Sequence, residues 1–156
     1  MNPEKREQRE SGFLIAKIHQ ITNRIFNKML KDYGLDELNS GRGRILFILW
    51  QRDNIPIREL SVKTQLTKSS LTTMLDRLEK KGFLSRGPGN DRREIIVKLS
   101  GKSKKLKEDY EKLSEEMTEV FYGNLTEGER DNFEDYLRRI LDNLIIAKDL
   151  QKDSKL

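Results

Sequence analysis

The sequence predicts a mainly α-helical chain with one small β-hairpin, and three observations lead there. Apolar residues recur at helical spacing near both ends, short polar-capped helices crowd the middle, and after Gly82 the apolar period falls to that of a strand. A chain of 156 residues suits one domain with a real core. Residues 1–156 are therefore expected to act as one unit.

Phe13, Leu14, Ile18, Ile21, Ile25, Phe26 and Met29 predict a long amphipathic helix over 11–32, which Gly34 ends. Ser40 is the expected cap of a second, largely buried helix carrying Ile45, Leu46, Ile48, Leu49 and Trp50. Asp53, Asn54 and Pro56 mark a break. Pro56 suits the start of a short third helix containing Leu60, and Thr67 suits the N-cap of a fourth that runs to Lys81 and stops at Gly82. Phe83 to Arg86 reads as a strand, and the Gly87-Pro88-Gly89-Asn90-Asp91 run as a turn. Ile95, Val97 and Leu99 alternate with Glu94, Ile96 and Lys98 as a returning strand. One more helix is defined by Leu106, Tyr110, Leu113, Met117 and Val120. The last is defined by Phe133, Leu137, Ile140, Leu141, Leu144 and Ile145, over 126–150, with Thr126 and Glu129 as its capping box. Both ends, 1–10 and 151–156, are expected to fray.

Composition narrows the function. Apolar residues are 35 % and charged residues 37 % of the chain, so core material is lean and a partner subunit is expected to complete it. With no Cys, disulfides, thiolate metal sites and thiol switches are excluded. His19 is the single histidine, and there is no Gly-rich phosphate loop or metal-ligand cluster. Catalysis, metals and cofactors are therefore not expected. The polar first ten residues lack a signal-peptide core and no stretch approaches about 20 apolar residues. A cytoplasmic protein with no membrane partner is the expectation.

Charge is concentrated in the middle. Residues 56–107 hold 14 Lys or Arg against 5 Asp or Glu, a net of +9, which leaves −4 for the rest of a chain whose total is +5. Such a segment is either a footprint for a polyanion or a solvated surface. Two short helices joined by a tight turn and followed directly by a hairpin form a winged helix-turn-helix, expected over 56–100, whose second helix enters the major groove of double-stranded DNA. At 100° per residue, Leu71, Met74, Leu75 and Leu78 share the core-facing sector of that helix. Ser69, Thr73, Asp76, Arg77 and Lys80 point away, with Thr72 beside them. With Lys68 and Ser70 at its start, this face carries groups suited to phosphates and base edges. At the hairpin tip Asp91 is placed to pair with a guanidinium, while Arg92 and Arg93 have the reach to enter a minor groove.

These residues resemble a known family. The stretch from Glu59-Leu60-Ser61 through Leu66-Thr67-Lys68-Ser69-Ser70-Leu71-Thr72, then Leu78 to Leu84, then Asp91-Arg92-Arg93 and Val97-Lys98-Leu99-Ser100-Gly101-Lys102, looks like the MarR family of prokaryotic transcriptional regulators. The resemblance extends through helix order to nearly the whole chain. It implies a homodimer built from the first and last helices, a fourth helix that reads the major groove, and Arg93 in the minor-groove position of the wing. It also implies a response to small aromatic or lipophilic ligands, so the expected function is a repressor released by such an effector, and two-fold symmetry makes its expected operator an inverted repeat. Gln65 departs from the pattern, standing where the turn commonly has Gly, so either the turn avoids a left-handed backbone or a non-Gly residue accepts strain there.

The end helices are amphipathic without an obvious burial of their own. Phe13, Leu14 and Ile18 with Leu137, Ile140, Leu141 and Leu144 are therefore the expected dimer interface. His19, Trp50 and Arg86 are candidate effector contacts, although His19 reads first as an interface histidine and Trp50 as core. The alternative function is a winged helix used for protein–protein contact, against which the polar, basic tip from Pro88 to Arg93 argues.

Overall fold

The computed structural model describes residues 9–153 and contains α1 (Ser11–Asp32), α2 (Ser40–Gln51), β1 (Ile55–Pro56), α3 (Ile57–Thr64), α4 (Lys68–Lys80), β2 (Leu84–Pro88), β3 (Ile95–Leu99), α5 (Gly101–Lys105), α6 (Lys107–Tyr122) and α7 (Glu127–Asp153). The chain divides into two compact units, one ending at Met117 and one beginning at Thr118, with the division inside α6.

Helix ends follow from local chemistry. Gly34, at φ +70°, lets its own N–H reach Lys31 O at 3.0 Å and the Leu35 N–H reach Leu30 O at 2.7 Å, so the last carbonyls of α1 are satisfied. Gly82, at φ +77°, does the same for α4: Gly82 N–H donates to Glu79 O and Phe83 N–H to Leu78 O, both at 2.9 Å. Thr67 caps α4, its hydroxyl oxygen accepting from Ser70 N–H. The cap of α2 is Asn39 rather than Ser40, since Asn39 Oδ1 accepts from Arg42 N–H at 2.8 Å. Ser40 instead donates its N–H to Asn27 Oδ1 on α1. Thr126 and Glu129 exchange hydrogen bonds as a capping box before α7.

Further differences from the sequence expectations concern the sheet, Ile95, the helix around Leu106 and the C-terminus. Pro56 stands at the start of α3 as expected, as its N-cap, and also ends a two-residue strand, whose partner β3 lies some forty residues further on and is invisible to local patterns. The sheet is thus three-stranded, antiparallel and ordered β1-β3-β2. On β3 only Val97 and Leu99 are buried. Ile95, expected on the same face, is exposed because it pairs with Pro88 beyond the edge of the core. The helix expected around Leu106 is split there: Ser100 caps the short α5 by accepting from Ser103 N–H, and α6 starts afresh at Lys107. At the C-terminus Gln151 to Asp153 are helical, not frayed, while 1–8 and 154–156 lie outside the described residues.

The first unit closes on Ile45, Leu46, Leu49, Ile55, Leu60, Leu71, Leu75, Leu78, Phe83 and Val97, all buried, with Leu30 and Leu113 joining from α1 and α6. Gly43 is obligatory in it, because a Cβ there would sit 2.6 Å from the Tyr110 ring. That ring also packs on Trp50 and Phe26, at centroid distances of 5.0 and 5.8 Å. Burial pushes the Tyr110 hydroxyl up to about 12. In the second unit the Tyr122 hydroxyl donates to Glu134 at 2.7 Å, Arg130 lies over the Tyr122 ring, and Phe133 packs beside Phe121. α7 buries none of its residues.

Candidate nucleic-acid interface

α4 presents two distinct faces. Leu71, Leu75 and Leu78 are fully buried and Met74 is half-buried. Lys68, Ser69, Ser70, Thr72, Thr73, Asp76, Arg77 and Lys80 are exposed. At the start of the helix the Ser69 and Ser70 hydroxyls lie within 3.3 Å of Thr67 Oγ1 as a polar cluster, beside Lys68 and the positive end of the helix dipole. Anionic oxygens are favoured at such a place. The Thr73 hydroxyl donates to Ser69 O at 2.9 Å, and the residue is exposed, so its oxygen retains acceptor capacity toward solvent. Arg77 and Lys80 complete a donor-rich surface.

The turn into α4 resolves the question posed by Gln65. It adopts a left-handed backbone at φ 54°, ψ 18°, with its N–H bonded to Ser61 O and its side-chain amide donating to Val62 O, both at 2.9 Å. A non-glycine residue therefore accepts strain at the pivot between α3 and α4.

The wing is held differently from the sequence expectation. Asp91 Oδ1 accepts from Arg93 N–H at 3.0 Å, and Asp91 O accepts from Glu94 N–H at 2.9 Å, so Asp91 shapes the backbone of the tip instead of pairing with a guanidinium. Gly89 N–H closes the loop on Glu94 O. Arg92 and Arg93 are left exposed at the tip.

Arg86, expected beside an effector, is committed elsewhere. Its backbone N–H and its Nε reach the two oxygens of Glu79 at 2.9 and 3.0 Å, and one terminal nitrogen contacts Glu79 at 2.5 Å and Asp76 at 2.6 Å. These hydrogen bonds hold the Glu79 carboxyl below the ordinary carboxylate range and raise the Arg86 guanidinium. Trp50 is also structural, its indole N–H donating to Ser103 O at 3.0 Å and its ring packed on Tyr110. His19 is exposed on α1 and contacts Asn23 at 3.0 Å. The three candidate effector residues thus have separate sets of partners. The glutamate and aspartate that engage Arg86 escaped sequence reasoning because no local spacing links α4 to β2.

Not every lysine of the basic middle is free for phosphate. Lys102 Nζ binds Glu37 at 2.8 Å and Lys81 O at 3.1 Å, and lies 4.4 Å from the centre of the Phe83 ring. Lys104 approaches Asp53, and Lys107 approaches Glu111. The run after β3 therefore serves internal contacts in part.

Among the seven expected dimer residues, Phe13, Leu14 and Ile18 on α1 are exposed, as are Leu137, Ile140, Leu141 and Leu144 on α7. No helix among the described residues is long and apolar enough to cross a membrane.

A buried-faced helix joined by a tight turn to its neighbour, with a hairpin carrying exposed arginines, defines a winged helix-turn-helix protein. Residues 38–95 match the family described as MarR family. The chain is 30 % identical to a MarR variant from E. coli crystallised in complex with operator DNA, with 83 % of this chain and 92 % of that one covered and a TM-score of 0.75. It is 32 % identical over 108 residues to the HTH-type transcriptional regulator FarR of Neisseria gonorrhoeae, covering 69 % of this chain and 64 % of that protein's length. Bordetella bronchiseptica BpsR, whose structure concerns regulation of DNA binding by 6-hydroxynicotinic acid, shares the fold at 22 % identity and a TM-score of 0.77, with 91 % and 99 % of the two chains covered. The chain belongs to the MarR family, a family of transcriptional regulators and not of enzymes.

Proposed function

We propose that the chain acts in the cytoplasm as a homodimeric repressor that reads an inverted-repeat operator in double-stranded DNA and is released by a small aromatic or lipophilic effector. The observation that carries the DNA reading is the pairing of a fully buried α4 face with an exposed one of hydroxyls, Arg77 and Lys80, next to a wing whose Arg92 and Arg93 are free of apolar cover. Lys68, Ser69, Ser70, Thr72, Thr73, Arg77 and Lys80 are assigned to the major groove and its phosphates. Arg92 and Arg93 go to the minor groove, and Asp91 shapes the wing tip. Dimerisation rests on the exposed stripes of α1 and α7. The effector rests on kinship with BpsR alone, since Trp50 and Arg86 have other partners.

Two recognition helices related by a two-fold axis occupy successive major grooves, so half-site centres lie about 10 base pairs apart. Footprinting on duplexes selected from a random library tests this reading. The expected result is a symmetric footprint, an affinity that falls with salt by a log-log slope of about 0.9 per neutralised phosphate, and a cost of about 1 to 3 kcal/mol for Arg93→Ala. A single unsymmetrical site, or no loss on removing Arg92 and Arg93 together, overturns it. Absence of salt-dependent binding would instead favour a protein-docking role.

A further inference from the structure

We infer that Arg86, clasped by Glu79 and Asp76 of α4, is a positioning residue that sets the angle of the wing relative to the recognition helix and thereby seats Arg93. The inference rests on the DNA reading above and adds a mechanism to it.

The argument begins with where the hairpin leaves the core. Its base is pinned by Leu84, Val97 and Leu99, all buried. Arg86 pairs with Val97, and this is the last rung that includes a buried residue. Beyond it stand Gly87 opposite Ile96 and Pro88 opposite Ile95, with Pro88 and Ile95 exposed. Of the apolar side chains in this outer half only Ile96 is half-buried, paired on its other side with Pro56 of β1, and none of the residues there is fully buried. At about 3.3 Å per residue the tip extends roughly 10 Å past Arg86, so a tilt of about 10° at that rung moves Arg93 by about 2 Å. That displacement is large against a minor groove about 6 Å wide.

At this rung Val97 packs into the core from β3, and the clasp holds the β2 side. Glu79 takes both the backbone N–H and the guanidinium of Arg86, fixing the strand and its side chain to one carboxylate, while Asp76 holds the terminal nitrogen one turn earlier on α4. The fork geometry of a guanidinium suits it to two carboxylates at once, which a lysine ammonium does not reproduce. Glu79 also lies in the last turn of α4, where Gly82 ends the helix and turns the chain into β2, so the clasp spans the shortest route from helix to wing.

The test uses full-length protein, the duplex that wild type selects from a random library, and a scrambled duplex of equal length. Arg86→Met is expected to weaken binding to the selected duplex roughly tenfold, the scale of one lost groove contact, and to change scrambled-duplex binding little. Arg93→Ala is expected to lose a similar factor. Combined, the two are expected to lose little more than either alone, because an unseated Arg93 has no contact left to remove. Arg86→Lys, which keeps the charge and loses the fork, is expected to remain impaired. If Arg86→Met melts early, Glu79→Gln, which keeps the shape and removes the charge, is read in its place. Independent, multiplying losses would overturn the clasp's role while leaving the DNA reading intact, as would full recovery in Arg86→Lys, which reduces the role to charge. An Arg93→Ala protein that binds like wild type would overturn the DNA reading, and the inference with it.

Discussion

The lobe around α4 and the helix α7 have comparably clear apolar periodicity in the sequence and opposite fates in the structure. Leu46, Leu60, Leu71, Leu75 and Leu78 disappear from solvent within their own unit, whereas Leu137, Ile140, Leu141 and Leu144 stay exposed and α7 buries nothing. α1 contains the same contrast within one helix: Leu30 is buried with Phe26 and Met29 packed beside it, and Phe13, Leu14 and Ile18 are open. Periodicity reports that a face wants burial, not which chain supplies it. The lobe is thus a core completed locally, while the stripes of α1 and α7 stay exposed and are the surfaces proposed to meet a second chain.

The largest expected effect attacks the uncovered stripe. Placing aspartates at Leu141 and Leu144 puts two charges per chain into the proposed intermolecular core, where an unpaired charge is strongly disfavoured. Sedimentation is expected to change from dimer to monomer, and operator affinity to fall by roughly two to four orders of magnitude as the linked half-sites become independent. Retention of the dimer would mean that α7 is covered by something other than its own copy. Because neither residue belongs to the lobe core, its helical signal is expected to persist.

A second change acts on the closed core. Leu75 is fully buried between the recognition helix and the rest of the lobe, so Leu75→Ala removes apolar contact and leaves a cavity. It is expected to destabilise the protein by about 2 to 5 kcal/mol in denaturant unfolding. If the two regions are as different as their burial implies, the oligomer measured under native conditions is unchanged. A loss of dimer at full lobe stability would erase the distinction.

Much of this was legible beforehand, and the limit is set by distance along the chain. The bounds of α1, the Thr67 cap and the Thr126 and Glu129 box depend on neighbours within one turn, so spacing alone reveals them. The α4 faces follow from the same arithmetic. Strand β1 and the clasp on Arg86 require partners brought in by the tertiary fold, and no period encodes them. Asp91 illustrates a third case: beside two arginines it suggests an ion pair, yet the two-residue separation lets it reach the Arg93 N–H and shape the turn. Lys102 counted as one more positive charge in the sequence, and the fold uses it to tie Glu37 to the end of α4.

The smallest expected effect sharpens the comparison at the turn leading into α4. Gln65 sits at φ 54°, a left-handed conformation that costs an L-residue about 1 to 2 kcal/mol and glycine almost nothing. Gln65→Gly relieves that strain. It also loosens the unfolded chain, which offsets about 0.4 to 1 kcal/mol, and it gives up the exposed side-chain bond to Val62 O. The net expectation is a gain of about 0.5 kcal/mol, read as a rise of about 1 to 2 °C in Tm. Operator affinity is expected to hold within about twofold, because the backbone bond to Ser61 O and the Thr67 cap still fix the start of α4. A fall in Tm would show that the Gln65 side chain contributes more to the lobe than its backbone strain removes. A rise in Tm accompanied by altered sequence preference would show that the strained turn is kept because it sets the angle at which α4 enters DNA.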